Sequence, residues 1–186
     1  MTREAIERIE RVAHKLARKY GTSDPYELAE SLNCMVDMES YPSLLGFCNV
    51  IMGVRVIGLN SNADYYTRRC ACAHELGHLV LGHVKLAGMR AGRTEDLTNL
   101  TSRMEAEANC FAAALLISDE DALNAIRTYC ELSRAAASLY VCPELLQAKA
   151  RILSAKGCAV IVPELPSSAA WKRCARKACG CRQRTL

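Results

Sequence analysis

Residues 74–78 read His-Glu-Leu-Gly-His, two imidazoles four positions apart with a carboxylate beside the first. On an α-helix, residues four apart share a face, so both rings can reach one ion. Glu75 is rotated about a hundred degrees from His74, which puts its carboxylate beside the position such an ion leaves open. This is the HExxH arrangement of zinc peptidases, in which the Glu acts as base on a water that the metal acidifies. The competing reading is a pair of buried structural histidines. The helical character of Cys70–Leu81 on both sides of the motif favours the metal site.

A catalytic zinc needs a third protein ligand. His83 would suggest a metzincin, but that pattern wants Gly and His at the positions held here by Leu81 and Val84, and Gly82 and His83 each miss by one. If the helix continued, His83 would face roughly away from His74. It is therefore read as a polar residue at a helix end, where the helix dipole favours a cation. The other source is the acidic stretch Met104-Glu105-Ala106-Glu107-Ala108-Asn109. Glu105 and Asn109 share a helix face, so one can ligate while the other accepts a hydrogen bond from a ligand imidazole. Glu107 points about two hundred degrees away from Glu105 and is expected to meet solvent or a basic neighbour. The geometry favours Glu105. Without the HExxH motif, the same stretch would read as a solvated acidic helix start.

The elements that must position these groups are legible in outline. Residues 3–20 have helical apolar spacing and stop at Gly21; Asp24-Pro25 then caps and starts a second helix. Residues 34–60 shift to strand composition, with runs 35–38, 47–52 and 54–59 suggesting a small meander turning near Gly46 and Gly53. The polar run 60–64 leads into a helix from Tyr65 to Gly82. Residues 85–100 read as a loop, and a strong helix is expected from Ser102 to Ile117. Short helices fill 119–154, broken near Pro143, with a last short strand at 158–162 and little structure from Pro163 onward. The expected class is α+β: a mostly helical zincin-like core with a small antiparallel or mixed sheet.

Composition narrows the function classes. The chain of 186 residues is half apolar and a quarter charged, as expected of one folded domain. The charged opening MTREAIERIERVAHKLARKY holds no signal segment, and no stretch is long and apolar enough to span a membrane, so the expected location is the cytoplasm with no membrane partner. Eleven cysteines lie outside any C-x-x-C spacing and are read mainly as small buried apolar residues of a reduced compartment. Residues 171–186 hold six Lys or Arg and no acid, leaving the rest of the chain slightly acidic. Residues 1–165 are thus expected to form the domain, and 166–186 a flexible, basic, Cys-rich tail. Cys174, Cys179 and Cys181 could bind a second metal, though their spacings fit no standard site well; the favoured alternative is a disordered cationic tail with a weak electrostatic grip on nucleic acid or an acidic partner.

HELGHLVLGH, followed after a loop by EAEANCFAAALLIS, resembles the ImmA/IrrE family of metallo-endopeptidases, as does the approach GLNSNADYYTRRCACAHELGH. The likeness covers about residues 5–154. It implies a zincin-like core with one zinc held by His74, His78 and Glu105, and with Glu75 as base. It also implies a protein substrate, a helix-turn-helix repressor whose cleavage derepresses mobile-element or stress genes. Two departures stand out: Ile117-Ser118 where the family often has Met-Pro, and the Cys-rich tail. The alternative function is a non-catalytic zincin-like module that binds a repressor or serves in an antitoxin-type pair. An intact Glu75 argues against it. Tyr65, Tyr66 and His83 are the nearest candidates in sequence for an oxyanion donor, with nothing to select among them.

Overall fold

Local signals start and stop the helices where the sequence places them. In the computed structural model of the protein, residues 1–41, 43–84 and 94–161 are described, the side chains of 94–101 excepted. Thr2 caps helix α1 (Arg3–Tyr20), which buries Ile6, Ile9 and Ala13 and ends at Gly21 with φ 72°. The Asp24 carboxylate accepts from the Tyr26 and Glu27 amides, and Pro25 occupies the first position of α2 (Pro25–Ser31). Both devices meet donors that a helix start would otherwise leave unpaired.

The three strands β1 (Cys34–Glu39), β2 (Gly46–Ile51) and β3 (Val54–Asn60) stand in the order β1-β3-β2. β3 pairs parallel to β1 and antiparallel to β2, so the sheet is mixed and the expected meander is not formed. Burial gives the reason. β3 carries Val56, Ile57 and Leu59, the most buried part of the sheet, and takes the centre, where both of its edges are paired. The link from β1 to β2 is tied down by Asn60 at the end of β3. Its side-chain amide donates to the carbonyls of Tyr41 and Leu44 at 2.6 and 2.8 Å, and its backbone N–H to Leu45 at 2.9 Å.

Helix α3 (Tyr65–Val80) begins at Asp64, whose carboxylate accepts from the Thr67 amide, and every residue from Cys70 to Gly77 is buried. It lies among β2, β3, α2 and the long helix α4 (Thr94–Leu116). α4 starts well before the expected Ser102. Thr94-Glu95-Asp96 is itself a helix-start composition, and Leu97, Leu100 and Met104 continue at helical spacing; residues 85–93 of the expected loop lie outside the described residues. The crossing of α3 on α4 is close because residue 77 has no side chain. A Cβ there would stand 3.1 Å from Phe111 Cδ1 and 3.2 and 3.3 Å from the Ala108 carbonyl oxygen and Cα.

Helices α5 (Asp119–Thr128), α6 (Leu132–Ser138) and α7 (Pro143–Ala155) complete the described chain, and α7 packs with α1 against α4. Residues 158–161 form no strand. The Cys158 amide caps α7 through the Leu153 carbonyl, and the Val160 amide bonds Cys158 locally, so neither is offered to a sheet. The tail from 162 lies outside the described residues. Together the helices and the small mixed sheet make an α+β fold. Replacing Gly77 by Val should force α3 away from α4 and lower unfolding stability in urea by about 1–3 kcal/mol, and unchanged stability would show that the crossing has slack.

Candidate metal centre

Helix α3 brings His74 and His78 to one face, and α4 crosses it so that Glu105 meets them. The Nε2 atoms of the two rings are 3.1 Å apart. Glu105 places one carboxylate oxygen 3.3 Å from Nε2 of His74 and the other 3.6 Å from Nε2 of His78. Donors about 2.0–2.1 Å from a tetrahedral ion stand about 3.3–3.4 Å from one another. The three contacts bracket that edge length, two of them through different Glu105 oxygens, and the set of two imidazoles and one carboxylate is one that suits zinc. Among the described residues, His74, His78 and Glu105 form a group able to hold a metal ion. Glu105 is the more exposed face of the trio, whereas His74 is fully buried.

Each imidazole is also held from behind. Nδ1 of His74 is 2.8 Å from Oδ1 of Asn109, one helical turn beyond Glu105, as the helix phase of 105 and 109 anticipates. Nδ1 of His78 is 3.0 Å from Nδ1 of His83, and Nε2 of His83 is 3.1 Å from Glu107. The second Glu107 oxygen accepts from Nε of Arg103 at 2.9 Å. Glu107 meets a basic neighbour, Arg103, as expected, and it is also buried, because α4 sinks into the interior at Ala108. His83 is a buried link and no helix-end cation. α3 stops at Leu81, and Gly82, with φ 77°, turns the chain so that residue 83 departs from the helical phase.

The electrostatics agree with that geometry. Burial pushes the His83 ring below the usual imidazole range, and the opposing pull of the Glu107 carboxylate does not restore it. For Glu107, burial acts upward but is outweighed by the hydrogen bonds and charges of Arg103 and His83, leaving it below the ordinary carboxylate range.

Glu75 is buried on the sheet side of α3, against the first residue of β2. A Cβ at Gly46 would stand 3.4 Å from its Cγ, so the glycine lets strand and helix approach at that point. Tyr65 and Tyr66 lie at the other end of α3, about 12–14 Å along the axis from His74. They stack with Tyr26 and Tyr140 instead of facing the site. Sequence reasoning missed the join between His83 and Glu107, whose only trace is a histidine directly after a glycine at a helix end.

Residues 35–150 match the family described as IrrE N-terminal-like domain (Peptidase_M78). The chain belongs to this family of metallopeptidases. The matched span holds the sheet, α3 and α4, and hence all three donors. The chain is also similar to a protein named uncharacterized immunity region protein 2 of Bacillus phage phi105, 33% identical over 112 residues, which are 60% of this chain and 69% of that protein. No helix among the described residues is long and apolar enough to cross a membrane.

His74→Ala, His78→Ala and Glu105→Ala should each abolish tight metal binding, since two donors remain. Asn109→Ala should weaken it about 10–100-fold. Metal titration against a chromogenic chelator measures both, and full retention by any of the three ligand variants would contradict the assignment.

Proposed function

We propose that the chain is a zinc-dependent endopeptidase of the cytoplasm whose substrate is a helix-turn-helix transcriptional repressor, cut to derepress mobile-element or stress genes. The observation that carries the reading is the convergence of His74, His78 and Glu105, whose donor atoms make contacts of 3.1, 3.3 and 3.6 Å, with Glu75 next to His74 in the same buried helix. Similarity to a protein named for a phage immunity region supports a regulatory protein as the substrate class. The peptidase domain is assigned to residues 1–165, and 166–186 to a basic appendage.

Zinc at this position supplies Lewis acidity toward the scissile carbonyl and acidifies the attacking water. The chain does the rest. Asn109 and His83 hold the two rings so that their Nε2 atoms face one point. The Glu75 carboxylate takes a proton from the water as its oxygen bonds to the carbonyl carbon. It then delivers that proton to the amide nitrogen as the C–N bond breaks.

Co-expression with a helix-turn-helix repressor chosen from the neighbouring genes tests this. Wild type should release a repressor fragment, while Glu75→Gln, unable to accept the proton, should keep its zinc and cut at least about 100-fold more slowly. Cleavage by Glu75→Gln at the wild-type rate would overturn the role of Glu75. A zinc-loaded wild type that binds the repressor without cutting it would favour the non-catalytic module.

A further inference from the structure

The two ligand imidazoles are supported in different ways. His74 has an amide oxygen behind it, on the same helix face as Glu105. His78 has a third imidazole behind it, brought in from beyond the helix end by the left-handed turn at Gly82. A contact of 3.0 Å between two ring nitrogens requires one to donate and the other to accept. For a neutral His83 ring, the buried Glu107 decides which. Its carboxylate faces Nε2 of His83 at 3.1 Å and can only accept, so Nε2 of a neutral His83 carries the hydrogen. Nδ1 of His83 is then an acceptor, and Nδ1 of His78 must donate to it. That leaves the lone pair of His78 on Nε2, the atom that faces His74 and Glu105. The opposite assignment would place a lone pair of His83 against a carboxylate and a hydrogen on the nitrogen that has to ligate. Arg103 closes the chain by donating to the second Glu107 oxygen at 2.9 Å, from a side chain that is largely exposed.

We infer that His83 is a positioning residue for the metal centre: with Glu107 and Arg103 it fixes the tautomer and ring orientation of His78 so that Nε2 faces the ion. The inference rests on the metal-centre reading above and adds a component that touches neither ion nor substrate. It also changes what is expected of Glu107, which is two positions from a ligand on the same helix yet reaches the other ligand helix through His83. Groups in this outer role contribute about 10–100-fold to metal affinity.

Zinc affinity of the full-length zinc-free protein, measured by competition with a chromogenic chelator, tests it without any assay of proteolysis. His83→Leu fills similar space but offers no acceptor, and should weaken zinc binding about 10–100-fold. His83→Asn restores an acceptor near Nδ1 and should recover most of the loss. A Leu variant within about twofold of wild type would overturn the inference, since the expected loss is at least about tenfold. So would an Asn variant as weak as Leu, which would mean that residue 83 only fills space. Should the Leu variant fail to fold, nitrogen NMR of the imidazoles in zinc-loaded wild type gives the answer directly. His83 is expected with hydrogen on Nε2 and His78 with hydrogen on Nδ1, and a His83 ring protonated on Nδ1 overturns the proposal. A wild type that binds no zinc would overturn the metal-centre reading and this one together, whereas normal wild-type binding with unaltered variants removes only this one.

Discussion

The close crossing of α3 on α4 is the constraint on which the site depends. Gly77 lies between Glu75 and His78, and the absence of a side chain there lets the backbone of α4 at Ala108 and the ring of Phe111 come into contact with α3. A helix pair held apart by ordinary side chains sits at about 8–10 Å between axes. The short reach of a Glu side chain makes that separation matter for the spacing at Glu105, where differences of a few tenths of an ångström decide whether three donors match one ion. The glycine inside the motif is thus structural in its own right, apart from the chemistry of its neighbours.

One stretch of α4 then supplies nearly everything that α3 does not. Arg103, Glu105, Glu107 and Asn109 occur at alternate positions, which on a helix puts 103 and 107 on one face and 105 and 109 on another. Glu105 goes to the ligand set, Asn109 to the back of His74, and Glu107 to His83 and so to the back of His78. A buried polar cluster is costly unless each member is paired, and paired members stiffen one another. Here the pairing lies behind both ligand rings: Asn109 behind the buried His74, and His83, Glu107 and the exposed Arg103 behind His78. The rigidity needed to hold ligand geometry therefore comes from hydrogen bonds set in an otherwise apolar core of Ala, Leu and Cys.

The parts legible in the sequence are those governed by local periodicity. The helix cap at Asp24, the proline start of α2, the polar run 60–64 that leads into α3, and the shared face of Glu105 and Asn109 all follow from positions within one or two turns. Parts that depend on non-local choices were not legible. The strand order turns on β3 being buried on both sides, which three short apolar runs in a row do not reveal. The place of His83 was lost because its direction was extrapolated along a helix that has already ended; the positive φ of Gly82 breaks the phase, and no periodicity argument survives such a residue. Glu107 meets the basic neighbour expected of it, Arg103, while its second partner, His83, comes from beyond that turn and was not legible.

Eleven cysteines give this chain a second conceivable way to hold zinc, and the central claim is that nitrogen and oxygen hold it instead. Among the described residues the cluster able to hold an ion is made of two imidazoles and one carboxylate and contains no thiol. X-ray absorption at the zinc edge of the loaded full-length protein separates the alternatives directly. Ligation by His74, His78 and Glu105 predicts a first shell of nitrogen and oxygen at about 2.0–2.1 Å with the outer scattering of two imidazoles. A shell of sulfur at about 2.3 Å would place the ion among thiolates and contradict it.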